Sequence, residues 1–92
     1  MKSYRNNLQI MGTILEATHT DRNGIQITNL ITKSNLSHPR LSVFLDKLIG
    51  RGLVNKITYD GKNTFVITDA GVVYLEEYKK FQTITDSFGL EL

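Results

Sequence analysis

The segment from Thr28 to Gly52 permits few folds. Leu41, Phe44, Leu45, Leu48 and Ile49 recur at helical spacing behind Ser37, and Leu30 and Ile31 mark the buried side of a shorter helix just ahead. Only Asn35 and Leu36 separate the two patterns, so the turn between the helices is tight. Thr28 is read as the N-cap of the first helix, Asn29 to Ser34, because its hydroxyl suits the unpaired amides of a first turn. Ser37 is read as the cap of the second. Pro39 in its first turn wastes no backbone donor, and Gly52 suits the left-handed residue that ends it.

The flanks complete a small domain. Tyr4, Leu8, Met11, Leu15 and Thr18, widened by Ile10, Ile14 and Ala17, predict an amphipathic helix over 4–19. Gly12 inside it points to close packing against a neighbour. Thr20-Asp21-Arg22-Asn23-Gly24 reads as a polar turn, and Ile25-Gln26-Ile27 as a short strand. Leu53 to Tyr59 and Thr64 to Thr68 read as two strands around an Asp60-Gly61-Lys62-Asn63 hairpin turn, with Phe65 and Ile67 on one face. Thr68 then caps a last helix from Asp69 to about Ile84. The order of helix, strand, helix, helix, strand, strand, helix lets the first strand join the hairpin as a three-stranded sheet over three helices. That is an α+β winged helix-turn-helix, with residues 1–68 as its body and 69–92 as a C-terminal dimerisation helix of the same domain.

Ninety-two residues support one core at most. There is no cysteine, which excludes disulfides and thiolate metal sites. No apolar run approaches the length of a membrane span, and the N-terminus has no signal-peptide pattern. The expected location is cytoplasmic and nucleoid-associated. His19 and His38 are the only histidines, and neither has metal-ligand spacing. Glu76-Glu77 reads as a solvated helix face. Gly50-Arg51-Gly52 ends a helix rather than opening one, so it is no phosphate cradle. Neither catalysis nor a cofactor or metal is expected.

Charge points instead to a polyanion. The net charge is +2, but residues 1–68 hold nine Lys/Arg against four Asp/Glu, while residues 69–92 hold two against five. With the apolar residues of the longer helix turned inward, Arg40, Val43 and Lys47 form an outward stripe at i, i+3 and i+7. Arg40 suits guanine, Val43 a thymine methyl, and Lys47 guanine or phosphate. His38 and Ser42 are expected beside them. Lys62 and Asn63 at the hairpin tip suit backbone contact, and Lys33 and Arg5 are further candidates for phosphate.

Two stretches carry a resemblance. NLSHPRLSVFLDKLIGRGLV and ITDAGVVYLEEY resemble the archaeal single-domain winged helix-turn-helix DNA-binding regulators, over nearly the whole chain. The resemblance implies a homodimer that binds double-stranded DNA and regulates transcription, with Ser37, His38, Arg40, Ser42, Val43 and Lys47 where the reading helix meets DNA. Pro39 departs from a helix start that is more often basic there, and the last helix is shorter than the coiled-coil tails of some members.

The last helix has a seam of its own. Tyr74, Tyr78, Phe81, Thr85 and Phe88 are spaced four, three, four and three, with Val72 and Leu75 on a neighbouring face toward the core. Tyr74, Tyr78, Phe81 and Phe88 are therefore expected to meet a second copy, which would place two reading helices on a pseudo-palindromic site. Two alternatives use the same fold: a DNA-coating chromatin protein without sequence preference, and a protein-interaction module. An RNA-binding form would need exposed stacking aromatics, for which Tyr59 is the only candidate.

Overall fold

The computed structural model describes residues 7–20 and 23–89, with Tyr59 through its backbone alone. Tyr4, Arg5, Asp21 and Arg22 lie outside the described residues. The elements follow the predicted order: α1 (Asn7–His19), β1 (Ile25–Gln26), α2 (Ile27–Ser34), α3 (His38–Gly50), β2 (Val54–Tyr59), β3 (Lys62–Ile67) and α4 (Asp69–Ser87). The sheet is antiparallel in the order β1-β3-β2, so the first strand closes on the far side of the hairpin.

Turn chemistry sets these boundaries. Asn35 adopts the left-handed conformation at φ 58°, and its amide donates to Ile31 O, which ends α2. That turn buries Leu36. Ser37 Oγ accepts from Arg40 N at 3.4 Å and caps α3. At the far end of α3, Gly52 takes φ 75°, its amide donates to Ile49 O, and Leu53 N donates to Leu48 O; together these form a Schellman closure. Asp60 and Gly61 both have positive φ, the two-residue turn that matches the twist of a hairpin.

Four boundaries differ from the sequence reading. β3 runs Lys62–Ile67, so the turn is Asp60-Gly61 alone, Lys62 and Asn63 are paired strand residues, and Thr68 leaves the strand to cap α4. α2 begins at Ile27, with Gln26 in the cap position and no side-chain cap, so Thr28 lies inside the helix rather than at its N-cap. Gln26 is the last paired residue of β1, and its extended backbone already turns the chain into the helix. Ile27 is thereby lost from the strand. β2 starts at Val54 because Leu53 is engaged in closing α3 and accepting from Thr68 N. α4 runs to Ser87, about one turn past Ile84, and stops near Gly89 at φ 71°.

The core lies between the three helices of the body and the sheet. Ile14, Leu15, Leu30, Leu41, Leu48 and Val54 are essentially inaccessible, and Leu75 brings α4 onto them. The buried hydroxyls stay satisfied: Thr18 donates to Leu15 O and Ser34 to Leu30 O. At Gly12, an added Cβ would fall 2.7 Å from Tyr78 Cζ, so the missing side chain is what lets α4 cross α1 at ring contact. Thr68 joins α3 to α4. Its hydroxyl accepts from Gly71 N at 3.0 Å and donates to Gly52 O at 2.6 Å.

Candidate nucleic-acid interface

The exposed surface of α3 divides into three strips. At 100° per residue, Leu41, Leu45 and Leu48 face the core, and Pro39, Val43, Asp46 and Gly50 form the opposite ridge. All four ridge residues are exposed, Val43 at 54%. Arg40, Lys47 and Arg51 run along one flank, beside Phe44. Lys47 Nζ sits 5.7 Å from the Phe44 ring centroid. Lys47 and Arg51 also edge a 130 Å³ cleft shared with Met11, Leu53 and Tyr74. The predicted stripe of Arg40, Val43 and Lys47 is therefore continuous, and Arg51 extends it by a further turn.

His38 and Ser42 occupy the other flank, across the ridge from Arg40 and Lys47 rather than beside them. With Asp46 they line one wall of a groove of about 440 Å³. Lys56, Asn63 and Phe65 form the facing wall. His38 and Pro39 are exposed, and Ser37 is committed to its cap.

The hairpin register explains which wing residues face that groove. Lys56 pairs with Phe65, Thr58 with Asn63, and Tyr59 with Lys62. Paired residues share a face, so Lys56, Thr58 and Asn63 lie on the side of the buried Phe65, toward α3. Thr58 Oγ1 donates to Asn63 Oδ1 at 2.7 Å, which orients that amide. Lys62 stands on the opposite face of the hairpin. Lys56 thus belongs to the groove and was missing from the predicted set. The four-residue turn read from the sequence would have paired 56 with 67; the observed Asp60-Gly61 turn sets Lys56 opposite Phe65 instead.

Cations dominate this surface: Arg40, Lys47, Arg51, Lys56 and Lys62 are all exposed, as is Lys33 at the end of α2. Asp46 is the exception on α3. Its side chain makes no ion pair or hydrogen bond among the described residues.

The seam on α4 splits in two. Tyr74 and Tyr78 are partly buried and pack on the domain's own core, where Gly12 receives the Tyr78 ring. Burial pushes the Tyr78 phenol pKa upward, helped by the negative charge of Asp86 and by Tyr74. Thr85 is buried as well. Phe81 and Phe88 remain exposed, joined by Ile84, which the aromatic pattern had hidden. Phe81, Ile84 and Phe88 are spaced i, i+3 and i+7 and lie on one stripe. No helix among the described residues is long and apolar enough to cross a membrane.

Comparison with known proteins agrees with this fold. The winged helix-turn-helix family profile matches residues 4–86. The crystal structure of Sso10a-2, a DNA-binding protein from Sulfolobus solfataricus, superposes with a TM-score of 0.80 at 22% identity, covering 91% of this chain and 85% of that one. A Staphylococcus aureus MepR variant bound to an oligodeoxyribonucleotide gives 0.72 at 15% identity, over 90% of this chain and 64% of its own. The transcriptional repressor CouR, bound to a 23-mer DNA duplex, gives 0.69 at 23%, over 88% and 61%. The chain thus spans less than two thirds of the MepR and CouR chains. No curated protein matches it in sequence.

Proposed function

Because the chain belongs to the winged helix-turn-helix family, we propose that it binds double-stranded DNA through α3 and the β2–β3 wing, and does so as a transcription regulator. The observation that carries this reading is the arrangement of Arg40, Lys47 and Arg51 along the exposed flank of α3, with Lys56 facing the same helix from the wing. A helix exposed over this much of its girth fits a major groove about 12 Å wide. Lys56 and Asn63, on the wing side of the groove that His38, Ser42 and Asp46 line on α3, would meet the DNA backbone beside the helix. Arg40 and Val43 would read base edges, and Lys47 and Lys62 would hold the backbone. The DNA named in the MepR and CouR structures supports the same direction.

Dimerisation through α4 belongs to this proposal. The unburied stripe of Phe81, Ile84 and Phe88 supports it, since a small domain rarely leaves three large apolar side chains aligned in water. A second copy there would give two reading helices related by a twofold axis, and hence a site with two half-sites. Association with the nucleoid would follow from DNA binding.

The test is a titration of labelled duplex DNA at about 50 and 200 mM salt with wild type and with an Arg40→Ala/Lys47→Ala variant. Each lost phosphate contact lowers the salt slope by about 0.9, so losing Lys47 should lower it by about 0.9 per protomer, while losing Arg40 should relax sequence preference, and together they should remove most of the affinity. Wild type that ignores duplex DNA even at the lower salt would overturn the proposal.

A further inference from the structure

The part of α3 that protrudes furthest is not basic. Pro39, Val43, Asp46 and Gly50 span about 60° opposite the core side, while Arg40, Lys47 and Arg51 sit roughly a quarter-turn away. A helix built only to hold phosphates would place its cations on that ridge. Here the ridge carries a valine and the only carboxylate of α3.

The fold does not use Asp46. It is exposed, caps no helix end, and makes no ion pair or hydrogen bond among the described residues, although Lys56 lines the same groove. Near DNA a free carboxylate is repelled by every phosphate, so it weakens binding to any duplex. It becomes favourable only on accepting a hydrogen bond from a base. The major-groove donors are cytosine N4 and adenine N6. Adenine sets its own N7 acceptor beside N6, which repels a carboxylate, whereas cytosine presents N4 with no acceptor of its own there.

We propose that Asp46 is a specificity-determining residue that accepts a hydrogen bond from cytosine N4, so that a C·G pair beneath the middle of α3 is required in the binding site. Val43, three residues earlier on the same ridge, lies beside it for contact with a thymine methyl. The inference rests on the DNA reading above. It deepens that reading by assigning selectivity to repulsion of wrong bases as much as to attraction of the right one.

Wild type, Asp46→Asn and Asp46→Ala are each used to select binding sites from a randomised duplex pool at one salt concentration, and circular dichroism confirms that all three fold. The wild-type consensus should contain a C column. In the Asn variant that column should change to A, because an amide pairs with both N6 and N7 of adenine. In the Ala variant it should flatten, while affinity for unselected DNA rises. Replacing the C·G pair should weaken wild-type binding by about tenfold and leave the Ala variant almost unaffected. The same consensus from all three proteins overturns the assignment, as does an Ala variant that binds every duplex more tightly with no column changed. Wild type that binds duplex DNA but enriches no sequence overturns the assignment alone and leaves DNA binding standing. Wild type that binds no duplex at all fails at the first titration, and both readings fall together.

Discussion

Gly12 is the residue on which α4's seat depends, and replacing it by alanine isolates that dependence. An added Cβ would meet three carbons of the Tyr78 ring, two of them at 2.7 and 2.9 Å, so the ring must move. Overpacking of this kind costs about 1–3 kcal/mol. Alanine also gains up to about 1 kcal/mol over glycine within a helix. The net expectation for Gly12→Ala is a loss of about 1 kcal/mol, or roughly 4–8 °C in melting temperature for a domain of this size. The same substitution in a Tyr78→Ala background should stabilise by up to about 1 kcal/mol, because the obstruction is gone and only the helix preference remains. The coupling between the two sites is therefore about 1–3 kcal/mol. Urea melts followed by far-ultraviolet circular dichroism measure it, at one protein concentration because self-association would add stability. A coupling below about 0.5 kcal/mol, with Gly12→Ala stabilising in both backgrounds, would refute the argument that Gly12 exists to admit the Tyr78 ring.

Two further outcomes follow from α4. Phe81→Glu or Ile84→Glu should raise the dimer dissociation constant by at least about tenfold, since each side chain gains about 1.5–3 kcal/mol on burial. Sedimentation velocity reads this directly, and a wild type that stays monomeric at every concentration would remove the dimer from the proposal. Tyr78 has a folded-state pKa above its unfolded value near 10, so the folded chain holds that proton longer. Stability should then be unaffected by Tyr78 below pH 10 and fall as pH rises past it, because the unfolded chain ionises first. Urea melts from pH 9 to 11 should show a shallower decline for Tyr78→Phe than for wild type, and identical slopes would contradict the assignment.

The fold was readable wherever a single residue type is chemically committed to a role. Ser37 and Thr68 announce caps, Gly52 a left-handed exit, and Asp60-Gly61 a hairpin, and each does so in the structure. Thr28 misled because its hydroxyl qualifies as a cap, yet pairing of β1 with β3 had already set the helix start two residues earlier. The α4 seam shows a different limit. Its four-three spacing identifies a face, but whether that face meets the domain or a second copy depends on how closely α1 approaches. Gly12 decides this for Tyr78 by leaving room for its ring, and beyond that crossing Phe81 and Phe88 remain uncovered. Ile84 escaped notice because it falls between the aromatic positions. On α3 the helical period turns Arg40, Val43 and Lys47 outward, but it does not reveal that His38 and Ser42 lie across a ridge from Arg40, nor that Lys56 faces them from the wing. Both relations arise when helix and hairpin are placed together, a non-local property that spacing within one element does not contain.

The Thr68 hydroxyl, bridging Gly52 O and Gly71 N, ties the end of α3 to the first turn of α4 and makes this junction the pivot of α4. Gly71 tightens it, since a Cβ there would overlap the Leu53 carbonyl. From that pivot α4 extends 19 residues, about 28 Å, as a lever. A tilt of about 5° at the pivot would sweep the far end of such a lever through about 2.5 Å. With two copies joined at their far ends, the same small angle would enter twice into the distance between their α3 helices. The tolerance of such a dimer to the separation of its half-sites would then be set at a single threonine hydroxyl, far from any base it reads.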